Sequence, residues 1–578
     1  MKNLPRLLLA LICTLFATTA PAQTPEQARN FQIDSTHKGS ITTEHLSPPL
    51  KHRWTVNFGR PTSYPLIADG KVFVTVKNAA LSSGTTLFAL NATNGATIWS
   101  FNLGGISSWG AACYENGRVF AINNAGLLRS FDGATGSLNW SVQLPGQSSF
   151  SAPPSVHNGV IYTSGSGAGG TLYAVNADSG TILWTKAVEN GVMSSPAVTN
   201  DGVYVSYSCP NVYKFNPVTG VQIWRSSTGC SGGGGKTAAL YNGRLYVRDF
   251  FDTIFDSDTG TIVGNFNAKN TPAFSGARGF FLDGPHGFGS FGTLLARDIN
   301  TNSILWTFSG DGFLQSAVLA VNNHVYVGSS QGNLYAVDAA TGQQAWVINT
   351  GESIPYVDEQ NLSQPLTSFA AAEGILVVPT STKLIAYDSD TTPPTLTFGN
   401  PTPAPNAAGW NNTAVDIPFT TADDFSGIQS SNPASPLHFV SEGANQTQQV
   451  TVTDNAGNSA TFTSPAVNID FTGPVVTTSA NPATAPKGPK TVTVTISGSI
   501  TDNLSGLASA SFNVIDEYGA AQPSGSVTVQ ANGTYSFTLS LPATKQGWDK
   551  DGHLYTIVVR GTDRAGNSTT ATTTLRIT

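Results

Sequence analysis

The sequence predicts an all-β protein, and three observations support this prediction. Charged residues make up 11% of the 578-residue chain, well below the roughly 25% of typical soluble domains. Glycine is abundant, with 59 residues, and Thr, Ser and Asn fill much of the remainder, as is typical of strands joined by turns. A short pattern that ends in tryptophan recurs through the first two thirds of the chain, which indicates a repeat architecture.

The start of the chain has the features of a signal peptide that ends at residue 22. Lys2 and Arg6 form a short basic start, and residues 7–16 are an apolar run. Residues 20–22 are small, as a signal-peptide cleavage site requires. Cys13 lies inside the apolar run and not at its end, so no lipoprotein acylation site is expected. We therefore expect an exported protein without a transmembrane segment, located in the periplasm, at the cell surface or in the medium.

The repeated pattern is clearest at residues 334–346, LYAVDAATGQQAW. Alternating apolar residues predict a strand, Gly342 can take the positive φ of a hairpin turn, and a second strand carries a tryptophan. Another hairpin lies between successive copies, so each period of 40 to 44 residues supplies four short strands. The tryptophans that end the copies are Trp99, Trp140, Trp184, Trp224, Trp306 and Trp346. This period predicts β-propeller blades, and Gly264, in place of a tryptophan, marks the blade with the weakest expected outer packing.

The number of blades follows from the two ends of the repeat region. A further copy begins at residue 368 but stops before any tryptophan strand. Residues 52–57 supply the missing strand, because Trp54 lies 45 residues before Trp99, in register with the series. Pairing this N-terminal strand with the last blade removes both open sheet edges. The sequence therefore predicts an eight-bladed β-propeller at residues 45–392, closed by the N-terminal strand, after an N-terminal extension at residues 23–44.

The motif Ala-x-Asp/Asn-x-x-Thr-Gly-x-x-x-Trp, seen at residues 336–346, resembles the tryptophan-docking motif of PQQ-type propellers. Two functional branches share that fold: quinoprotein dehydrogenases, and non-catalytic propellers such as BamB-type outer-membrane assembly factors. The resemblance implies the fold, and fold alone does not choose between the branches. By resemblance, many alcohol-oxidising quinoproteins carry two adjacent cysteines over the cofactor, and this chain has no such pair.

The 40-residue period stops after residue 390, and a Thr-, Ser- and Asn-rich tail follows. It contains two related units, residues 393–471 and 472–578, each with an early Asp-rich turn and a later Ala-Gly-Asn turn before its last strand. These units resemble the bacterial Ig-like β-sandwich domains of secreted and surface proteins. The resemblance implies that they space or display the propeller.

Acidic residues recur in the turns of the tail: Asp423, Asp424, Asp454, Asp502 and Asp563. They could meet at one end of each sandwich, together with Asp390 or Asp470 from the linkers. Carboxylate oxygens suit calcium, but aspartate also caps turns through its own backbone. The turn interpretation is favoured, and calcium binding is kept as the alternative.

The cysteines and a glycine-rich stretch bear on a possible disulfide, a possible nucleophile and a possible phosphate site. Cys209 and Cys230 fall in loops on one face of the propeller, so we hypothesise a structural disulfide between them. Cys113 lies on a predicted inner strand and is interpreted as a small buried apolar residue. Residues 230–237 approach a phosphate-binding loop, but no helix follows to bind the anion, so a nucleotide site is rejected.

The loops between blades contribute large side chains on one face: Tyr64, Trp109, Phe150, Met193, Phe274, Phe313 and Tyr356. An exposed ring of this kind would bind a protein or a glycan. Alternatively, the side chains fold down and plug the central channel. The longest of these loops, residues 352–367, adds Asp358 and Glu359 to the candidate surface.

Taken together, these features predict an exported, non-catalytic binding or scaffold protein that needs no cofactor. No Ser/His/Asp or metal-binding spacing is visible, and the net charge of −7 argues against nucleic acid as a partner. The expected partner is a protein or glycan at the propeller face, and the protein is expected to be monomeric. The first alternative is a BamB-like envelope assembly factor, and the second is a PQQ-dependent oxidoreductase.

Overall fold

Every regular element is a β-strand in the part of the chain that the computed structural model describes: residues 26–44, 46–79, 84–191, 193–207, 211–227, 235–248, 251–284 and 290–578. These residues contain no helix long and apolar enough to cross a membrane. The chain divides into two compact units, of which the first ends at Asp390 and the second begins at Thr391. The all-β prediction is confirmed.

The described residues of the first unit form seven four-stranded antiparallel sheets and one five-stranded sheet, in which a short fifth strand pairs in parallel with an antiparallel set of four. The first unit begins with β1 (Ser40–Ile41) and β2 (Leu50–Asn57). Blades 1 to 4 are, in order, β3 (Leu66–Ala68), β4 (Lys71–Lys77), β5 (Thr85–Asn91) and β6 (Thr97–Gly104); β7 (Gly110–Glu115), β8 (Arg118–Asn123), β9 (Leu127–Asp132) and β10 (Leu138–Gln143); β11 (Ser155–His157), β12 (Val160–Ser166), β13 (Gly170–Asn176) and β14 (Ile182–Val188); and β15 (Ala197–Val198), β16 (Val203–Tyr207), β17 (Asn211–Phe215) and β18 (Gln222–Ser227). Blades 5 to 8 are β19 (Ala239–Tyr241), β20 (Arg244–Val247), β21 (Thr253–Asp256) and β22 (Ile262–Asn265); β23 (Ala273–Ser275), β24 (Arg278–Asp283), β25 (Thr293–Asp298) and β26 (Ile304–Phe308); β27 (Leu319–Val321), β28 (His324–Gly328), β29 (Asn333–Asp338) and β30 (Gln344–Asn349); and β31 (Ala370–Ala372), β32 (Ile375–Pro379) and β33 (Lys383–Ser389), with β2 as the fourth strand.

The N-terminal strand closes the ring as the sequence predicts. β2 runs antiparallel to β33, and Trp54 is paired with Ala386. The innermost strand of blade 1, β3, packs against both β7 of blade 2 and β31 of blade 8. The first and last blades are therefore neighbours, and strands from both ends of the unit share one sheet.

The tryptophans at the blade edges connect each blade to the next. Six of the seven donate their indole N–H to a backbone carbonyl in the following blade: Trp54 to Ala92 (2.9 Å), Trp99 to Gly133 (3.1 Å), Trp140 to Ala177 (3.0 Å), Trp184 to Pro217 (2.9 Å), Trp224 to Ser257 (3.1 Å) and Trp306 to Ala339 (3.1 Å). Trp346 instead packs edge-on against Tyr387 of blade 8. Each donating indole also covers the glycine of the next turn, for example Gly180 beneath Trp140.

Blade 5 shows how the chain compensates for a missing tryptophan. An atom added at Gly264 would meet only Ile254 Cδ1, at 3.6 Å, and a cavity of about 230 Å³ lies at this position. The equivalent acceptor carbonyl, that of Ile299, is bonded by the Arg244 guanidinium. The turn residue that the indole would cover is Asn302 and not glycine. The glycine is thus replaced where no ring lies over the turn.

Residues 26–44, which we call the N-terminal segment, contact every blade in turn. Ala28 bridges to Ile67 in blade 1, and the chain then passes blades 2 and 3 through Arg29 and Asn30. The carbonyl oxygens of residues 35, 36 and 38 accept N–H groups from blades 4, 5 and 6. β1 pairs in parallel with β27 of blade 7, and Glu44 accepts two N–H groups of blade 8. The predicted extension is therefore an integral part of the first unit.

The second unit contains two separate apolar cores. The first lies among β34 (Thr395–Phe398), β35 (Val415–Ile417), β36 (Phe419–Ala422), β37 (Ile428–Asn432), β38 (Leu437–Phe439), β39 (Gly443–Gln446), β40 (Gln449–Asp454), β41 (Ser459–Thr463) and β42 (Val467–Ile469). The second lies among β43 (Val475–Asn481), β44 (Thr484–Ala485), β45 (Thr491–Thr501), β46 (Leu507–Asp516), β47 (Ser524–Ser526), β48 (Thr534–Pro542), β49 (His553–Asp563) and β50 (Ser568–Ile577). The cores lie on either side of the boundary expected at 471/472, and the Ig-like assignment stays a prediction.

Candidate functional site

The connection between β30 and β31 comprises residues 350–369, and we call it the long loop. The Glu352 carboxylate anchors its start by accepting hydrogen bonds from Thr380 and Thr382 and by pairing with Lys383 at 3.1 Å. Although partial burial works in the opposite direction, these contacts lower the pKa of Glu352 to about 2. Near its end, the loop accepts the N–H of Tyr64 at the Leu366 carbonyl (2.8 Å), so it spans from blade 8 to blade 1.

A buried ion pair holds the centre of the long loop to blade 5. The Arg248 guanidinium bonds the Glu359 carboxylate, and these residues are only 3% and 5% exposed. Glu359 Oε1 also accepts the N–H of Thr237 at 2.8 Å, and Arg248 Nη2 donates to Thr271 Oγ1 at 3.0 Å. Neighbouring groups thus add hydrogen bonds to both charges, although Nε of Arg248 has no hydrogen-bond partner among the described residues.

A polar cavity of about 640 Å³ opens beside this ion pair, and we call it the rim cavity. It is lined by Lys236, Arg248 and residues 356–363 of the long loop. Burial raises the pKa of Asp358, and the Glu359 carboxylate acts in the same direction. Lys269 Nζ lies 5.6 Å from the centre of the Tyr356 ring. Cations and carboxyl groups therefore line one concave surface, which suits a polar ligand with fixed hydrogen-bonding groups.

The exposed ring of large side chains is not formed, and this prediction was wrong for four of its members. Tyr64, Trp109, Phe150 and Phe274 are at most 2% exposed. Tyr64 donates its hydroxyl to the Ala112 carbonyl at 2.7 Å, and the Phe150 ring occupies the space beside Gly126 and Gly165. These side chains pack into the blades because burial of an aromatic surface stabilises the fold more than exposure to water does.

The other members of that group reach the surface to different extents. Phe313 is 39% exposed and packs edge-on against Phe291. Met193 and Tyr356 are half-buried, and Tyr356 lines the rim cavity with Asp358 and Glu359. Of the candidate surface residues, the structure places Tyr356, Asp358 and Glu359 around one cavity.

Sequence reasoning missed the cations of the site, Lys236, Arg248 and Lys269. Arg248 directly follows the apolar strand β20, and Lys269 is buried, so that burial lowers the pKa of its ammonium group. Arg248 at the end of the apolar strand β20 could have indicated this site, because charged residues make up only 11% of the chain.

His37 of the N-terminal segment occupies the interior of the first unit. Its Nδ1 lies 2.7 Å from the Phe31 carbonyl oxygen and its Nε2 lies 3.0 Å from that of Pro196. Burial lowers the pKa of His37, although these carbonyls and the charges of Asp34 and Glu359 act in the opposite direction. Both ring nitrogens face backbone oxygens, so the geometry is that of a structural histidine and not of a general base.

The cysteine predictions have different outcomes. Cys209 and Cys230 lie outside the described residues, so their disulfide stays a prediction. Cys113 is a free, buried cysteine on β7, and burial raises the pKa of its thiol well above the usual value. A thiol in that environment is unsuited to nucleophilic chemistry.

The acidic turns of the second unit follow the predicted capping pattern in part. Asp423 Oδ1 accepts the N–H groups of Phe425 and Gly427, and Asp454 accepts the N–H of Asn458. Asp424 is exposed. Asp502 and Asp563 come together with Asp470 from the linker, with carboxylate oxygens within 4.8 Å of one another.

Known proteins resemble part of the chain. The chain is 24% identical over 321 residues to a tetrathionate hydrolase of Acidithiobacillus ferrooxidans, a match that covers 49% of this chain and 56% of that protein. It is 22% identical over 263 residues to the outer membrane protein assembly factor BamB of Shewanella oneidensis, covering 40% of this chain and 64% of that protein. These matches thus span less than two thirds of either relative.

A solved structure supports the fold alone. Quinohemoprotein alcohol dehydrogenase from Comamonas testosteroni superposes with a TM-score of 0.50 at 14% identity, over 63% of this chain and 80% of that one. A family model described as outer membrane protein assembly factor BamB matches residues 83–167, 147–249 and 210–392. Together these matches extend over more than half of the chain, and the chain therefore belongs to this family of PQQ-like propeller repeat proteins.

Proposed function

We propose that the propeller is an exported, monomeric and non-catalytic binding module that recognises a segment of a partner protein at the rim cavity. The observation that carries this proposal is the anchored long loop, which presents Tyr356, Asp358 and the polar residues 360–361 around a concave surface. A rigid cavity with a few fixed polar groups favours an extended chain whose backbone and side chains need hydrogen-bond partners.

Membership of the BamB-type family supports a protein partner over a glycan. We propose envelope assembly, with outer-membrane proteins as clients, as the specific role. The second unit would space or display the propeller.

Peptide binding at the rim cavity can be tested with an array of β-strand segments from outer-membrane proteins. Asn361→Ala and Gln360→Ala remove side chains that line the rim cavity. Val218→Ala is the matched control, because Val218 is 81% exposed in the turn between β17 and β18 and does not line the rim cavity. We expect the parent chain and the control to bind the same peptides and the two rim variants to lose at least about tenfold in affinity, the loss from one interface contact of about 1.4 kcal/mol. Unchanged binding by both rim variants would exclude the rim cavity as the recognition site.

A second candidate function is hydrolysis of a sulfur oxyanion, and one observation favours it. Asp358 has a raised pKa in a cavity that also contains Lys236 and Arg248, and one relative is named a tetrathionate hydrolase. A carboxyl group with a raised pKa can act as an acid or base, and cations can hold an anion beside it. Consumption of tetrathionate by the parent but not by Asp358→Asn would establish this candidate, and no consumption by either would leave the binding proposal standing.

A further inference from the structure

Three carboxylates of the second unit converge where its two cores meet. Asp470 follows β42 of the first core, whereas Asp502 follows β45 and Asp563 ends β49 of the second. One oxygen of each lies within 4.8 Å of the others. Asp470 and Asp563 are at most 1% exposed, and Asp502 is half-buried. Negative charge is thus concentrated in a largely water-excluded place.

The neighbours of these carboxylates are N–H donors without positive charge. Asp470 accepts the N–H groups of Thr472 (3.1 Å) and Ser505 (3.0 Å). Asp502 accepts those of Leu504 and Gly506. Asp563 accepts those of Gly566 and Asn567, and the Asn567 side chain as well.

No ion pair formed by the described residues involves any of the three carboxylates. Hydrogen bonds from backbone N–H groups account for a single carboxylate in a turn, but they do not offset the mutual repulsion of three. Buried charges are normally paired or bound to a metal ion.

The hydroxyl of Ser505 provides an independent observation. Ser505 is 4% exposed, and its Oγ has no hydrogen-bond partner in the part of the chain that the structure describes, although its own N–H is bonded to Asp470. Buried hydroxyl groups are normally satisfied, and an exception calls for an unseen water or ion. This hydroxyl belongs to the turn that brings Asp502 beside Asp470, so a hydrated cation among the carboxylates would supply its missing partner.

We propose that Asp470, Asp502 and Asp563 bind one calcium ion. Carboxylate, hydroxyl and water oxygens are the ligands that calcium takes, and its flexible coordination suits carboxylates from three separate segments. Calcium would join the linker carboxylate to two turns of the second core, next to the bond from the Asn567 side chain to the Asp470 carbonyl (2.7 Å). The ion would thereby fix the junction between the two cores of the second unit.

Calcium binding is measured by titration calorimetry on the full chain after treatment with EDTA. Dissociation constants on the order of 10⁻⁴–10⁻³ M are typical of extracellular calcium sites. We expect Asp470→Asn to lose one bound equivalent relative to the parent. Asp551→Asn is the matched control, because its exposed carboxylate pairs with Arg576 and lies outside the group. It should retain the parent stoichiometry.

A second variant guards against a loss of folding. Asp502→Asn changes the most exposed of the three carboxylates and keeps an oxygen that can accept the N–H groups of its turn. Added calcium should raise the thermal midpoint of the second unit in the parent and in Asp551→Asn, but shift it much less in Asp502→Asn. If both Asp470→Asn and Asp502→Asn bind as many equivalents as the parent, or if the parent binds none at millimolar calcium, the proposal is overturned.

Discussion

Replacement of Gly220 by alanine tests the tryptophan docking that connects the blades. Gly220 lies in the turn between β17 and β18 with φ of +66°, a conformation that side chains other than glycine rarely adopt. An added Cβ would lie 2.7 Å from Trp184 Cδ2 and 2.9 Å from Lys186 Cε. Normal carbon contacts are about 3.5–4.0 Å. The Trp184 ring must therefore move outward by close to 1 Å.

The expected loss of stability combines three costs and one smaller gain. Alanine in the left-handed region costs about 1–2 kcal/mol, and displacement of a packed ring costs about 1–3 kcal/mol. Lengthening the bond from the Trp184 indole to the Pro217 carbonyl, now 2.9 Å, costs about 1 kcal/mol. Alanine also reduces the conformational entropy of the unfolded chain, which offsets about 0.4–1 kcal/mol of this loss. We therefore expect Gly220→Ala to lower the free energy of unfolding by about 2–6 kcal/mol.

The measurement is urea-induced unfolding followed by tryptophan fluorescence, with the slope compared between variants. Gly264→Ala is the control, because its added Cβ meets only Ile254 Cδ1 at 3.6 Å and its φ is not positive. It should be neutral or stabilise the unit by up to about 1 kcal/mol. Equal unfolding midpoints for Gly220→Ala and the parent would refute the docking role of the indole.

Three further predictions concern the interior of the first unit. Glu359→Ala leaves Arg248 buried without its carboxylate partner and should lower the free energy of unfolding in urea by about 3–5 kcal/mol. The control Glu189→Ala removes a surface ion pair and should lower it by less than about 1 kcal/mol. Similar losses for the two variants would contradict this account. Burial lowers the pKa of His37 in the folded chain. As the pH falls below about 6.5, the unfolded chain therefore binds a proton before the folded chain does. The folded state loses stability over this range until the pH reaches the lowered pKa. His37→Asn should therefore show a flatter dependence of stability on pH between 7.5 and 5, and an unchanged dependence would rule out this residue as its cause. The N–H of Ala28, bonded to blade 1 at 3.0 Å, should exchange with deuterium as slowly as amides of the inner strands, and rapid exchange would show that the N-terminal segment opens independently.

The blade pattern could be predicted because particular side chains recur in it at fixed spacing. Alternating apolar residues, a glycine with positive φ and a tryptophan recur together, and each has a local physical reason. Trp54 extended the series to the other end of the chain, and its indole does dock on Ala92. The same logic identified Gly264, whose blade has a cavity where an indole would lie.

The path of the N-terminal segment could not be predicted from side chains. Its backbone hydrogen bonds with blades 4, 5 and 6 are accepted by carbonyl groups, which any residue can supply. The sequence left open whether the loop aromatics are exposed or folded down, although Gly126 and Gly165 beside Phe150 were available as a signal of burial. A glycine in an inner strand often marks the close approach of another group.

The Arg248–Glu359 ion pair bears on what the long loop does. Apolar residues of similar size would fill such a buried position with equal or greater stability, so stability alone does not account for the pair. Two charges that must meet each other, and that also bond Thr237 and Thr271, allow the loop few alternative positions. Tyr356 and Asp358 are thereby held at defined places around the rim cavity. A loop fixed in advance loses little conformational entropy when a ligand binds, which is the physical basis for assigning recognition to this site.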